Sequence, residues 1–421
     1  MLDLRFIREH PDLVREGIRK KGAADCVDEV LRIDSHRRDL LQMVEAMKNK
    51  RNVVSEEIGK LKREGKDASQ SIAQMEEVKG HIRVIDEELK TVESDLDELL
   101  LTIPNLPHPS VPVGNTPADN KVISEWGELQ NNDFSPKPHW EIAQKLDIID
   151  FERGVKITGA GFPLYKGRGA TLQRALINFF LDEASRRGYK EIQPPLMVNA
   201  ESAMGTGQLP DKEDLMYVVT KDNLYLIPTA EVPVTNIHRN EIFTEQQLPV
   251  KYCAYTPCFR REAGSYGKDV RGLNRIHQFD KVELVKFVHP GVSYNELDGL
   301  REDAEELLRK LGIRYHVLLM CTGDMGFTQS KKYDLEVWSM GQERWLEVSS
   351  ISNFEAFQAR RMNIRFRPRA EGKPEFVHTL NGSGLALPRV VAAILEQYQT
   401  PEGKVIVPKV LHPYTGFEII G

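Results

Sequence analysis

Apolar residues recur every seven positions through much of the first quarter of the chain, on both sides of a polar break at residues 65–69. Before the break, one series comprises Ile33, Leu40, Met47, Val54 and Leu61, and the other has Val44 and Ile58 with Arg37 and Arg51 in its remaining places. After the break, the series are Met75, Ile82, Leu89, Leu96 and Ile103, and Val78, Ile85, Val92 and Leu99. Paired heptad series predict a coiled coil, and so short a break predicts that two helices pair antiparallel over residues 33–103.

The pattern changes after a proline-rich segment, residues 104–120, which we interpret as a linker. The predicted domains are therefore residues 1–103 and residues 121–421. Helices are predicted at residues 172–187 and 293–311, and a closing helix and strand within 390–407. Strands are predicted at residues 189–196, 224–227, 253–260, 277–288, 315–321, 333–339 and 345–352. Because helices and strands do not alternate regularly, we expect an α+β fold with a largely antiparallel sheet.

The composition of the chain excludes several classes of protein. No apolar run approaches the roughly 20 residues of a membrane span, and the charged N-terminal segment is not a secretory signal. The cysteines, Cys26, Cys253, Cys258 and Cys321, have no zinc-type spacing. These features predict a cytoplasmic protein with reduced thiols and no membrane association.

Charge along the helical hairpin is uneven, although the net charge of the whole chain is −6. Basic residues lie toward the predicted tip: Lys48, Lys50, Arg51, Lys60, Lys62, Arg63 and Lys66. Acidic residues lie toward the base of the return helix: Asp86, Glu87, Glu88, Glu93, Asp95, Asp97 and Glu98. A basic tip suits an RNA backbone, whereas solvated charge on a generic coiled coil or a dimerisation rod is the alternative.

Residues 259–283 read as a β-hairpin around a long loop rich in glycine and charge, with Gly264, Gly267, Lys268, Arg271 and Gly272. Arg260 and Arg261 end its first strand. A guanidinium group binds phosphate through two parallel hydrogen bonds, and Phe279 on the returning strand could stack on a base. The alternative is a surface hairpin with solvated charges and a core phenylalanine.

Three further stretches decide between these interpretations. They are LIPTAEVPVTN (226–236), EVSSISNFEAFQARR (347–361) and TLNGSGLALPR (379–389). With the hairpin, in this order, they resemble the catalytic domain of the seryl-tRNA synthetases, which are class II aminoacyl-tRNA synthetases. The hairpin is similar to the second motif of that class, TLNGSGLALPR to the third, and residues 161–195 to the first. The resemblance implies a class II catalytic domain behind a coiled-coil arm, and a homodimer.

The resemblance also implies an ATP site with Mg²⁺. Arg260 would bridge the α-phosphate and the amino acid carboxylate, and Arg389 would lie at the γ-phosphate. Glu262 would contact adenine, and Glu347 and Ser350 would hold Mg²⁺. The full set implied for ATP is Arg260, Arg261, Glu262, Ile276, Phe279, Glu347, Val348, Ser349, Ser350 and Arg389. Pro388 departs from a glycine common in the family, but proline is tolerated where a helix begins.

A serine pocket is implied as well, with ligands among Thr229, Ala230, Glu231, Arg260, Glu283, Asn381 and Ser383. Thr229 and Glu231 would take the amino group, and Glu283 and Ser383 the hydroxyl. On local grounds Thr229 and Glu231 could instead be a helix N-cap and first turn. The implied RNA partner is tRNA(Ser), and also tRNA(Sec) where that tRNA exists. Arg51, Lys60, Lys62 and Arg63 are the candidate contacts.

Two alternatives remain at this stage. Other enzymes of the same superfamily lack the coiled-coil arm or carry a C-terminal anticodon-binding domain, for which this chain has no room after residue 389. A catalytically inactive paralogue acting as a coiled-coil interaction protein would have no need for Arg260, Arg389, Glu283 and Ser383 together. The sequence therefore favours an active ligase that forms aminoacyl-tRNA.

Overall fold

The computed structural model describes residues 1–128, 133–210, 214–262, 271–369 and 372–421. The chain divides into two compact units, Met1–Pro104 and Asn105–Gly421. Among the residues described, no helix is both long enough and apolar enough to cross a membrane.

The first unit is helical. Its helices are α1 (Leu4–Glu9), α2 (Pro11–Lys20), α3 (Val27–Arg63) and α4 (Ser69–Leu101). Ion pairs join His36 to Glu88 and Arg37 to Glu93, both at 3.0 Å, so the start of α3 lies beside the end of α4. The predicted antiparallel coiled-coil arm is thereby confirmed, with α3 beginning six residues earlier than the heptads begin. Seam residues buried between the helices are Leu40, Val44, Val54, Met75, Val78, Ile82, Leu96 and Leu100.

The proline-rich segment differs from the predicted linker, because the boundary between the units falls after Pro104. The buried side chain of Asn105 donates hydrogen bonds to the carbonyl oxygens of Thr328 (3.0 Å) and Phe354 (2.8 Å). The main-chain N–H of His108 donates to Ser330 O at 2.9 Å. Proline prevents helix formation here but not extended pairing with a neighbouring surface, so residues from Asn105 onward belong to the second unit.

The second unit is built on an eight-stranded sheet within the described part of the chain. The strands of the unit are β1 (Lys121–Trp126), β2 (Ile149–Asp150), β3 (Leu164–Tyr165), β4 (Lys190–Glu191), β5 (Met197–Asn199), β6 (Val218–Val219), β7 (Leu224–Leu226), β8 (Ile242–Thr244), β9 (Val250–Phe259), β10 (Gln278–Val288), β11 (Tyr315–Leu319), β12 (Lys331–Ser339), β13 (Arg344–Asn353), β14 (Arg365–Arg367), β15 (Glu375–Phe376), β16 (His378–Ala386), β17 (Val405–Ile406) and β18 (Ile419–Ile420). The large sheet has the order β1-β11-β12-β13-β16-β10-β9-β4. Its neighbours are antiparallel except β4 and β9, which confirms the predicted α+β class.

The longer helices of this unit cover one face of the sheet, whereas the short helices at residues 231–235 and 357–362 pack with Val285 and Phe287 on the other. The helices of the unit are α5 (His139–Lys145), α6 (Phe151–Ile157), α7 (Gly167–Arg186), α8 (Ala200–Thr206), α9 (Glu231–Thr235), α10 (Ser293–Leu311), α11 (Phe357–Met362), α12 (Leu387–Gln397) and α13 (His412–Thr415). Side chains of α7, α10 and α12 share one hydrophobic core with Val282 and Leu284 of β10. Strand side chains alternate between faces, so Phe279, Lys281 and Glu283 of the same strand point away from that core. The second face of the sheet is therefore where polar chemistry can collect.

Part of the predicted strand at residues 189–196 is not a strand. The strand comprises Lys190–Glu191, which pairs in parallel with β9, and one further hydrogen bond runs from the Ile192 N–H to Cys253 O at 2.8 Å. Pro194 and Pro195 have no N–H to donate to a ladder, so pairing cannot continue through them.

Candidate active site

A cavity of about 750 Å³ opens on the second face of the sheet. Strands β10, β13 and β16 form its floor, and its rim comes from the end of β9, residues 228–231 and the start of α12. Most of the predicted site residues line it: Thr229, Glu231, Arg260, Glu262, Ile276, Phe279, Glu283, Glu347, Val348, Ser350, Asn381, Ser383 and Arg389. Residues far apart in the chain, around 230, 260, 280, 350 and 385, thus meet in one place.

The register of the central strands places the residues at one end of the cavity. Glu283 of β10 is directly opposite Ser383 of β16, and Val285 is opposite Asn381. Partners in an antiparallel pair project to the same face, so Glu283, Ser383 and Asn381 point together into the cavity. Glu283 and Ser383 are both buried.

A buried lysine joins Glu283 to Thr229 at this end of the cavity. Lys281 Nζ lies 2.5 Å from Glu283 Oε2 and donates to Thr229 Oγ1 at 2.8 Å. Glu231 accepts a 2.7 Å hydrogen bond from Gln358 Nε2. Burial, and then the neighbouring charge of Glu283, raise the pKa of Glu231 to about 7. The pocket thus holds two carboxylates against one ammonium group, which leaves room for the ammonium of a ligand.

Thr229 and Ala230 differ in what they face. Helix α9 begins at Glu231, and the Thr229 hydroxyl accepts a 3.2 Å hydrogen bond from the Glu231 N–H while also meeting Lys281 and Glu283. The local prediction that Thr229 is the N-cap is wrong, because Ala230 occupies that position, although Glu231 does begin the first turn. Ala230 is fully buried and packs with Val234 and Val285 behind the pocket, so its side chain is not part of the cavity wall.

Arg260 stands at the end of β9 with its guanidinium carbon 5.2 Å from the centre of the Phe279 ring. Its Nε donates to Pro228 O at 3.2 Å, and the residue lines the cavity. Glu262 pairs with Arg275 at 3.2 Å. Arg261 pairs instead with Asp214 at 3.1 Å and does not line the cavity, contrary to the implied role. Successive residues of an extended segment point in opposite directions, so Arg260 and Arg261 cannot face one site.

A bulge on β13 brings Glu347 and Ser350 to the same face of the sheet. Glu347 and Ser350 are three positions apart and would project to opposite faces of a regular strand. The register shifts here, since Ser349 pairs with Leu335 but Glu347 pairs with Glu336, so Val348 is the extra residue. The bulge lets Glu347, Val348 and Ser350 all line the cavity. Ser349 points away and donates to Ser383 O at 2.6 Å, so its side chain supports β16 rather than contacting the cavity.

Arg389 lies in the first turn of α12 and is held by two carbonyl oxygens. Its Nε donates to Asn274 O at 3.0 Å and its Nη1 to Glu347 O at 2.7 Å. Burial is the largest influence and raises the pKa of the Glu347 carboxyl, but the surrounding cations, led by Lys332 and Arg389, together outweigh it and hold that pKa below its usual value. Glu347 is therefore an ionised carboxylate beside two cations.

Several lining residues were missed from the sequence, among them Lys281, Lys332, Asn274 and Arg275. Lys281 could have been found, since it lies between Phe279 and Glu283 at strand spacing and must share their face. Lys332, held at 3.1 Å by Asp334, gave no such signal because its own strand carried no predicted site residue.

Some predictions concern other parts of the chain. Gly264, Gly267 and Lys268 of the hairpin loop lie outside the described residues. Arg51, Lys60, Lys62 and Arg63 are exposed on the second half of α3, and their proposed contact with RNA stays a prediction.

An antiparallel sheet with Arg260 ending a hairpin strand and Arg389 opening the helix after the last central strand defines a class II aminoacyl-tRNA synthetase core. A family model described as the tRNA synthetase class II core domain (G, H, P, S and T) matches residues 217–398. A second, the seryl-tRNA synthetase N-terminal domain, matches residues 1–107.

Complete relatives agree with these domain matches. A serine–tRNA ligase from Salinibacter ruber is 58% identical over 425 residues, covering 100% of this chain and 99% of its own. The crystal structure of seryl-tRNA synthetase from Pyrococcus horikoshii complexed with ATP has a TM-score of 0.94 at 39% identity, covering 100% and 99%. A cytoplasmic serine–tRNA ligase from Naegleria fowleri in complex with AMP has a TM-score of 0.89 at 29% identity, covering 100% and 98%. The chain belongs to the seryl-tRNA synthetase family, and it is an ATP-binding ligase that forms aminoacyl-tRNA.

The buried pair at the cavity floor gives a prediction about stability. Lys281→Met leaves the Glu283 carboxylate buried without its cation, and we expect it to reduce the free energy of unfolding by about 3 kcal/mol. Replacing both partners, Lys281→Met with Glu283→Gln, removes the uncompensated charge and should recover most of this loss. Denaturant unfolding of the three proteins measures the difference. Equal losses in the single and double variants would show that the pair is not the cause.

Proposed function

We propose that the two ends of the cavity divide the first step of the reaction, with L-serine at Glu283 and ATP between Arg260 and Arg389. The observation that carries this assignment is the pairing of Glu283 with Ser383 in the cavity floor, beyond the two arginines. A buried carboxylate opposite a hydroxyl forms a polar end suited to a small hydroxylated amino acid. The cationic end suits a chain of phosphates.

In this arrangement the serine carboxylate attacks the α-phosphorus of ATP. A bond forms between that carboxylate oxygen and phosphorus, the bond from the α-phosphorus to the bridging oxygen breaks, and pyrophosphate leaves with the electron pair. Arg260 would contact both the carboxylate and the α-phosphate, so it would hold the reacting atoms together and offset the developing negative charge. Phe279 and Glu262 would hold the adenine end. The side chains position and stabilise, and no side-chain nucleophile takes part.

Transfer to tRNA then follows from the adenylate. A terminal ribose hydroxyl attacks the carbonyl carbon and loses its proton to solvent. The ester bond to the ribose forms, the bond from the carbonyl carbon to the phosphate oxygen breaks, and AMP leaves with that oxygen and the electron pair.

Mg²⁺ would be held by Glu347 and Ser350. The two oxygens project into the cavity from the bulged strand, and the low pKa of Glu347 keeps its carboxylate ionised. Hard oxygen donors of this kind fit Mg²⁺, which also takes ligands from substrate phosphates. Bound there, the ion would neutralise phosphate charge. Lys332 and Arg389 flank the same carboxylate and would orient the outer phosphates.

Glu347→Gln tests this site selectively, because the main-chain oxygen that holds Arg389 is unchanged. We expect the Mg²⁺ concentration for half-maximal ATP–pyrophosphate exchange to rise about tenfold, and the KM for serine to stay within about twofold. Glu336→Gln is the control, since that carboxylate bonds to His316 and does not line the cavity. An unchanged Mg²⁺ requirement in Glu347→Gln would remove Glu347 from the metal site.

Serine would be recognised through its ammonium by Thr229 and Glu231, and through its hydroxyl by Glu283 and Ser383, with Asn381 beside them. A site built to bond a hydroxyl rejects an analogue that lacks it, because polar groups then stay unpaired. Threonine would have to be excluded by the shape of the pocket.

The raised pKa of Glu231 makes serine binding depend on pH. Only the ionised carboxylate pairs with an ammonium group, and with a pKa of about 7 that form is lost as the pH falls from 8 to 6. We therefore expect the KM for serine to rise as the pH falls, and the rise should approach about tenfold per pH unit below pH 7. The KM for ATP should not follow. Glu231→Gln should bind serine weakly at every pH, and a persisting pH dependence in that variant would assign the effect to another group.

Amino-acid-dependent ATP–pyrophosphate exchange, without tRNA, tests the whole proposal. Exchange with serine alone across a panel of amino acids supports the assignment, and exchange with another amino acid overturns the specificity. Glu283→Ala should abolish serine-dependent exchange and keep ATP binding, whereas Glu375→Ala, at an exposed position, should change neither. No exchange at all, with no ATP binding at millimolar ATP and Mg²⁺, would favour an inactive interaction protein.

The RNA, the assembly and the location are proposals from the resemblance. The basic residues Arg51, Lys60, Lys62 and Arg63 would contact tRNA(Ser), and tRNA(Sec) where a cell contains it. Aminoacylation assays with each tRNA separate these substrates.

The first motif, within α7 and the segment after it, would form a homodimer interface. Sedimentation would detect the dimer as a mass of about twice the 48.0 kDa of one chain. Because the proposed substrates and reaction belong to translation, the enzyme would work in the cytoplasm.

A further inference from the structure

We infer that the buried pair His139–Glu396 is a positioning device for the Arg389 end of the ATP site. Both side chains are fully buried, and neither lines the cavity. They lie on α5 and α12, 257 positions apart in the chain. The inference rests on the proposed role of Arg389 and extends it to residues that do not touch substrate.

Both nitrogens of the His139 ring are used. Nδ1 is 2.8 Å from Glu396 Oε1, and the main-chain N–H of His139 donates to the same oxygen at 3.0 Å. Nε2 accepts a 2.9 Å hydrogen bond from the Leu273 N–H. Because Nε2 must accept, the proton of the neutral ring is on Nδ1, which donates to the carboxylate. The ring is thereby fixed in orientation and connects Glu396 to the main chain at Leu273.

Glu396 is itself held from the other side. Its Oε2 accepts from the Gly341 N–H at 2.9 Å and from the Ser339 hydroxyl. Gln342 Nε2 reaches Glu396 Oε1 and Asn274 Oδ1, each at 3.3 Å, and the Asn274 amide donates back to Gln342 at 2.7 Å. Burial is the largest influence and raises the pKa of Glu396, but the contacts from the His139 ring, the Ser339 hydroxyl and the His139 main chain together outweigh it, so that pKa lies below its usual value. An ionised, multiply bonded carboxylate is a rigid support.

The network ends at Arg389. Leu273 and Asn274 are consecutive, so the hydrogen bond from Leu273 to His139 and the side-chain bonds of Asn274 fix the carbonyl of Asn274. That carbonyl accepts from Arg389 Nε at 3.0 Å, which sets the plane of the guanidinium group. The fit is close, because a Cβ at Gly272 (φ +66°) would lie 2.3 Å from His139 Nε2. The position of Arg389 thus depends on a ring that is two hydrogen bonds away.

The test compares two substitutions at one position. His139→Phe keeps a ring of similar size and removes both hydrogen bonds, and we expect it to raise the KM for ATP about tenfold while the KM for serine changes less than about twofold. His139→Gln keeps a donor and an acceptor and should restore part of the loss. A rise in both KM values by the same factor would overturn the inference, because it would indicate general loss of structure.

A double variant distinguishes failure of the positioning inference from failure of the proposed role of Arg389. In an Arg389→Ala background, His139→Phe should add less than about twofold to the KM for ATP, since the group it positions is already gone. If Arg389→Ala alone leaves the KM for ATP unchanged, the proposed role of Arg389 fails. If Arg389→Ala raises it but His139→Phe adds its full factor in that background, only the positioning inference fails.

A milder substitution covers the case in which His139→Phe does not fold. Gln342→Ala changes a partly exposed side chain and removes its bonds to Asn274 and Glu396. We expect a smaller rise of about threefold in the KM for ATP, with the KM for serine unchanged. No change in the KM for ATP would overturn the inference.

Discussion

Strand β10 must bury charge on one face while its other face packs into the hydrophobic core. Val282 and Leu284 enter that core, so the alternation of the strand forces Lys281 and Glu283 to the opposite face, where both are buried. Buried charges persist only when they are paired, and the short contact between Lys281 and Glu283 meets that requirement. The pair then draws Thr229 toward β10 and fixes the segment before α9 against the sheet. One electrostatic requirement thereby shapes the end of the cavity that we assign to serine.

The rest of the site depends on where the sheet departs from regularity. The bulge at Val348 brings Glu347 and Ser350 to one face. A second shift in register lies between the Lys281–Ala386 and Glu283–Ser383 pairs, where β16 has one residue more than β10. Beyond it the chain turns into α12, which carries Arg389. Bulges bend strands and redirect side chains, so the two irregularities determine which side chains reach the two ends of the cavity that we assign to phosphate and to the amino acid.

The sequence predicted the features that repeat along the chain or that lie in recognisable motifs. The heptads predicted the antiparallel arm, because every second turn must place an apolar residue on the face that contacts the partner helix. The order of the motifs gave the cavity, and alternation on β10 placed Glu283. Arg261, Ser349 and Ala230 were assigned with their neighbours, although a strand or turn points adjacent side chains in different directions. The His139–Glu396 pair could not have been found, since its residues carry no local pattern and meet only through tertiary packing.

The geometry of Glu283 also bears on how a pocket that already contains the Lys281 side chain would bind serine. Among the described residues, Lys281 and Thr229 both contact Oε2 of this carboxylate, which leaves Oε1 available to the hydroxyl of a ligand. Lys281 holds the Glu283 carboxylate in place, so its free oxygen stays positioned as an acceptor when the pocket is empty. Alanine would leave one oxygen unpaired rather than a whole buried charge. With the proposed assignment, discrimination against alanine would rest on one lost hydrogen bond, and the ammonium contacts proposed for Thr229 and Glu231 would contribute equally to both amino acids.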